Sequence, residues 1–259
     1  MTGGDALRAR LAAGEPAYGA WCALDGVLAA EVAALAGFDW ACADFQHGAA
    51  GLDTAAPLFQ AISVAGAVPL ARVPGNDHWL IGRALDLGAA GVIVPMVNDP
   101  DEARHAVDSV RYPPAGTRSF GPVRSAADAG EPLCIVMCET RRSVEGLAEI
   151  CAVDGVDAVY VGPRDLALSH GLEPGTDLER VIEQILATCV QAGVPAGIHT
   201  RSGESARGYT RAGFRFAAVG SDRDLLARAA LAELQVARGG AGASAPPNDG
   251  ALRAVARYA

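Results

Sequence analysis

The sequence predicts an α/β protein, a (β/α)8 TIM barrel in a single domain, on three observations. Eight short apolar runs alternate with helical patterns. The runs are mostly continuous and rich in Val, Ile and Ala, as strands buried on both faces of a parallel sheet are. The chain has 259 residues, 51% of them hydrophobic, enough for one large core of the size that α/β barrels reach as one domain. In order, the expected strands are Tyr18–Leu24, Trp40–Phe45, Val68–Val73, Gly91–Val97, Leu133–Glu139, Ala158–Gly162, Val194–His199 and Phe214–Val219. An open doubly wound sheet is the competing arrangement, but the first strand is followed by no G-x-G-x-x-G and the chain has no Walker loop.

Helices fall between these runs with local punctuation. Asp99 is placed to N-cap a helix that has Pro100 first and Asp101 and Glu102 in its first turn. Thr176 and Glu179 stand at capping-box spacing, followed by an apolar stripe from Leu178 to Val190 and a stop at Gly193. Ser221 is expected to cap the last long helix, which runs to about Ala237. Two segments break the alternation. Arg111–Pro132 reads as a long Pro- and Gly-containing loop, of a length that is often functional in compact domains. The barrel is therefore assigned to residues 1–238. Residues 239–259 form a Gly-, Ala- and Pro-rich tail with the pattern of a flexible linker and a possible short helix at its end.

Composition narrows the function. Asp and Glu number 30 against 21 Lys plus Arg, a formal net charge of -9, which argues against non-specific nucleic-acid binding. Met1–Glu15 has no apolar core run and no stretch reaches transmembrane length, so neither a signal peptide nor a membrane partner is expected. Six cysteines, none in a C-x-x-C pair and several inside apolar runs, read as buried reduced thiols of a cytoplasmic protein.

In such barrels the chemistry sits at the C-terminal ends of the strands. There the sequence places His47 after an aspartate-bearing strand end, Arg72, Glu139, the turn Gly162-Pro163-Arg164-Asp165, and His199. Glu139 and Asp165 are suited to hold a hard divalent ion with open positions for a ligand, or else are solvated carboxylates. Pro163 at the first position of a short helix would leave the amides of Arg164 and Asp165 pointing outward as an anion site, or form an ordinary turn. Arg72 can clamp an oxyanion, or pair with Asp77 or Asp86. His47 is the candidate general base and His199 the second; His78, His105 and His170 read as surface residues.

These stretches carry a resemblance. GFDWACADFQHG (37–48), LARVPGND (70–77), ALDLGAAGVIVPMVND (84–99), RYPPAG (111–116), CIVMCET (134–140) and VGPRDL (161–166), in this order, resemble the HpcH/HpaI family of class II pyruvate aldolases. The resemblance implies that Glu139 and Asp165 bind Mg2+, Mn2+ or Co2+, and that Arg72 contacts the substrate keto oxygen. It implies that His47 is the catalytic base, with Asp86 as its dyad partner, and that amides from Gly162 to Asp165 cradle the pyruvate carboxylate. It also implies a hexamer, a trimer of dimers, in which a neighbouring subunit completes the site. The activity implied is reversible cleavage of a 4-hydroxy-2-oxo acid to pyruvate and an aldehyde, with His47 acting through a bound water. The chain has no Lys at all, so no lysine imine can form. Three positions depart from the common pattern: Gln46 for Glu in some members, Met137 for a common Gln, and Arg164 for the small residue of GPADL. Arg164 raises the expectation that acidic substrates gain an extra contact. An oxaloacetate decarboxylase, a macrophomate-synthase-like carbon–carbon bond former and a non-catalytic metabolite-binding barrel are the alternatives.

Overall fold

The computed structural model describes residues 3–121 and 130–239. Eight parallel strands close on themselves in sequence order. They are β1 (Ala17–Cys22), β2 (Trp40–Asp44), β3 (Val68–Arg72), β4 (Gly91–Val94), β5 (Leu133–Cys138), β6 (Ala158–Val161), β7 (Ala196–Ile198) and β8 (Phe216–Ser221). The predicted barrel is thus the observed one, and the tail after residue 239 lies outside the described residues, as do residues 122–129 of the long loop. Among the described residues no helix is long and apolar enough to cross a membrane.

The strands are shorter than their apolar runs for a local reason. β4 stops at Val94 because Pro95 has no N–H for the ladder and Met96 turns out of the sheet at φ 58°. β7 starts after Pro195, not at Val194. β8 is not shortened but displaced toward the C-terminus, to Phe216–Ser221 from the expected Phe214–Val219, because the Phe214 amide is still closing the preceding helix on the Tyr209 carbonyl.

Side chains alternate between two cores, as the two-residue period of a strand requires. Trp40, Cys42, Leu70, Ile93, Ile135, Tyr160 and Phe216 fill the barrel interior. Ala41, Ala43, Ala71, Val92, Val136 and Val159 face the surrounding helices. Helix α1 (Gly3–Ala12), which the sequence reading did not anticipate, plugs the lower end with Leu7 and Leu11. Helix α2 (Val27–Leu35) follows β1 and α3 (Ala55–Val64) follows β2.

Asp99 caps α5 (Pro100–Val110) by accepting from the Glu102 amide at 2.9 Å, and Ser221 caps α11 (Asp222–Ala237). The expected Thr176–Glu179 capping box does not form. Gly175 is the cap of α9 (Thr176–Ala192), and the Glu179 carboxylate instead accepts from the Tyr209 hydroxyl at 2.9 Å. Gly193, at φ 72°, ends α9 as expected. All six cysteines are buried and free.

Gly19 is a packing requirement. A Cβ there would fall 2.0 Å from the Trp40 indole, which is fully buried. Gly19→Ala is therefore expected to cost about 3 kcal/mol by overpacking, read as a lowered Tm; an unchanged Tm would show that Trp40 has room to move.

Candidate functional site at the barrel mouth

Asp44 ends β2 and Arg72 ends β3, and the two are direct partners in the strand register. Arg72 grips Asp44 with two bonds, Nε to Oδ1 at 2.8 Å and NH2 to Oδ2 at 2.5 Å. The Trp21 indole donates to the same carboxylate at 3.1 Å, and the guanidinium lies 5.1 Å from the Trp21 ring. Burial alone would raise the Asp44 carboxyl, but the bonds and charge of Arg72 outweigh it and hold the group below its ordinary value. Arg72 is thus a fixed cation. Its partner is neither of the aspartates expected from sequence: Asp77 caps α4 (His78–Asp86), and Asp86 is bound to Arg118 at 2.7 Å.

Asp44 also organises the next loop. Its Oδ1 accepts from the amides of Gln46 and His47, at 3.1 and 3.2 Å. His47 is exposed there, and its ring has no hydrogen-bond partner among the described residues. Sequence reading assigned Asp44 no role, although its place opposite Arg72 on neighbouring strand ends was the available signal.

Asp86 is the one proposed site residue that the fold does not bring to the mouth. It ends α4, a helix running antiparallel to the strands, so it lies at the opposite end of the barrel from His47. Within one chain the two cannot form a dyad.

Glu139 follows β5 and is buried. Its Oε1 accepts from the Met96 amide at 2.8 Å. Met96 is the only non-glycine residue with positive φ among the described residues, and that backbone aims its N–H at the carboxylate. Burial pushes the Glu139 carboxyl up to about 6; the Met96 bond opposes this and the Asp165 charge adds to it. The Asp165 charge therefore reaches Glu139, and among the described residues neither carboxylate has an ion-pair partner.

Gly162 joins them. A Cβ at this position would sit 2.6 Å from Glu139 Oε2, so only glycine lets the carboxylate lie against the turn. Gly162 caps α8 (Pro163–His170) without a side-chain bond, and Pro163 is its first residue. The amides of Arg164 and Asp165 have no partner among the described residues, as the sequence led us to expect of a helix N-terminus. The Arg164 side chain is exposed and also without a partner there.

His199 follows β7. Its ring meets Trp21 edge-on at 4.9 Å between centroids. Beside this mouth, Gln46, Pro74, Gly75, Asn76 and Met96 line an open groove of about 480 Å³ that continues toward α5.

The profile of the HpcH/HpaI aldolase/citrate lyase family matches residues 17–229, which span all eight strands. The chain belongs to this family. It is accordingly an enzyme of a lyase family, as the motifs implied. Among family relatives, the hydroxypyruvate/pyruvate aldolase of Deinococcus radiodurans is 40% identical over 235 residues, 85% of each chain. The 4-hydroxy-2-oxo-heptane-1,7-dioate aldolase of Shigella boydii is 37% identical, over 93% of this chain and 97% of its own. In three dimensions, an HpcH/HpaI aldolase/citrate lyase family protein from Burkholderia cenocepacia superposes with a TM-score of 0.84 at 36% identity, covering 90% of this chain and 99% of that one.

Proposed function

We propose that this member of the family is a metal-dependent aldolase that cleaves a 4-hydroxy-2-oxo acid to pyruvate, or a closely related 2-oxo acid, and an aldehyde, and also runs the reverse addition. The observation that carries this reading is the pairing of Glu139 with Asp165 beside a turn of unpartnered amides, where among the described residues neither carboxylate has an ion-pair partner. Such a pair fits a hard divalent ion, Mg2+, Mn2+ or Co2+: Oε2 of Glu139 lies in the cradle that Gly162 leaves open, and the buried charge is costly when it stands alone. When bound, the ion supplies Lewis-acid stabilisation of enolate charge on the 2-oxo acid.

The other roles belong to the chain itself. The amides of Gly162 to Asp165 bind the substrate carboxylate at the N-terminus of α8. Arg72, immobilised by Asp44, donates to the keto oxygen and gains strength as negative charge develops there. His47 holds the proton, taken from C3 during addition and from the C4 hydroxyl during cleavage. Arg164 is available to a second anionic group on the substrate. No lysine is present to serve as an alternative electron sink.

A dyad between His47 and Asp86 would need a second copy of the chain, since the two residues sit at opposite ends of one barrel. Self-association, in the hexameric form that the family resemblance implies, has support on the surface. Helix α11 buries only Asp222 and leaves Leu226, Leu234 and Val236 exposed; Leu28, Val32 and Leu35 of α2 are exposed as well.

The test is hydrogen exchange at C3 of pyruvate in heavy water with Mg2+ or Mn2+, together with an aldehyde screen read by mass spectrometry. Exchange and aldol products are expected. Carbon dioxide release from oxaloacetate without aldol products would favour a decarboxylase, and absence of both reactions would favour a binding protein.

A further inference from the structure

Trp21, in the barrel interior, touches two polar groups carried by the ends of other strands. Arg72 lies over its ring, and the edge of His199 meets it from β7. His199 is half-buried, and neither ring nitrogen has a partner among the described residues. The ring nitrogens are also not among the fully buried polar atoms left without a partner, so they keep some access to solvent. The backbone N–H of His199 bonds the Val161 carbonyl at 3.0 Å, which fixes its position beside the Gly162–Asp165 turn.

The inference rests on the aldolase reading, which assigns two of the three substituents on the planar C2 of a 2-oxo acid. The carboxylate goes to the amides after β6. The keto oxygen points toward Arg72 after β3. Substituents on a planar carbon diverge, so C3 is left to face the remaining sector of the mouth, between β7 and β1, where His199 and Trp21 stand.

We propose that His199 is a specificity-determining residue that hydrogen-bonds a hydroxyl group on C3 of the donor, so that 3-hydroxy-2-oxo acids such as hydroxypyruvate are preferred over pyruvate. Burial and then the Arg72 charge push the His199 imidazole down to about 4, so it is neutral at physiological pH. A neutral imidazole offers one donor and one acceptor, which matches a hydroxyl group and not a second carboxylate. A methyl group in the same place would strip water from the ring nitrogens and leave them unpaired.

The test compares kcat/KM for hydroxypyruvate and pyruvate with one acceptor aldehyde, in the wild-type enzyme and in His199→Phe, which keeps an aromatic edge on Trp21 but has no nitrogen. The hydroxypyruvate-to-pyruvate ratio is expected to exceed one in the wild type and to fall about 10- to 100-fold in the variant. His199→Gln, which restores a donor and an acceptor, should recover part of the ratio. Should the Phe variant fail to fold, His199→Leu gives the same reading. An unchanged ratio would reduce His199 to packing and overturn the proposal. A wild-type enzyme that turns over pyruvate but rejects hydroxypyruvate would overturn it while leaving the aldolase reading intact; turnover of neither donor would overturn both.

Discussion

Glu139→Gln and Asp165→Asn are each expected to lower aldol turnover by about 10³-fold or more, since on the proposed reading several kcal/mol of charge stabilisation depend on an ion held by both. Exhaustive chelation of the wild-type enzyme should do the same, and returning Mg2+ or Mn2+ should restore the rate. The loss should not come from unfolding. Glu139 is buried with its carboxyl pushed up to about 6, so at neutral pH the folded state carries a charge that burial disfavours. Replacing that charge with an amide keeps an acceptor for the Met96 N–H and removes the repulsion from Asp165. In metal-free buffer at neutral pH, the Tm of Glu139→Gln should therefore equal or exceed that of the wild type. Full activity after exhaustive chelation would sink the metal assignment. Lost activity with a much lower Tm would mean that Glu139 serves the fold.

His47→Ala should slow turnover by roughly 10²- to 10⁴-fold, the usual contribution of a positioned general base. Hydrogen exchange at C3 of pyruvate should fall in parallel, because the proposed mechanism assigns the same proton to His47. The side chain is exposed on a loop whose amides are tied to Asp44, so its removal leaves the Asp44–Arg72 pair in place and the Tm nearly unchanged. Asp86→Asn should lose less, acting only by orienting the imidazole, and its position predicts a distinctive result. Mixing His47→Ala with Asp86→Asn chains under conditions that exchange subunits should recover activity, because an intact pair can form only between a His47 and an Asp86 from different copies. No recovery, with Asp86→Asn at the wild-type rate, would remove Asp86 from the mechanism. If His47→Ala keeps its rate while His199→Ala loses it, the base has been assigned to the wrong histidine.

The barrel was legible in the sequence because its signals are local. Strand periods, the Asp99 and Ser221 caps, Pro163 at the start of α8 and Gly193 at the end of α9 all depend on residues within a turn of one another. The same holds for the rule that chemistry sits at the strand ends, which led to Arg72, Glu139 and the Gly162–Asp165 turn. What the sequence by itself determined is therefore the architecture, the inventory of groups at the mouth, and, through the complete absence of lysine, one mechanism that the enzyme cannot use. The tertiary structure decided which of those groups meet. Arg72 had three nearby aspartates to choose from, and the register of β2 against β3 gave it Asp44. Asp86 went to Arg118 at the far end because α4 runs against the strands. The Met96 amide reached Glu139 through a positive φ, and His199 met Trp21 only because closure of the barrel brings β7 round to β1. Ion pairs and ring contacts between residues far apart in sequence depend on register and closure, and neither leaves a mark on the local pattern of residues.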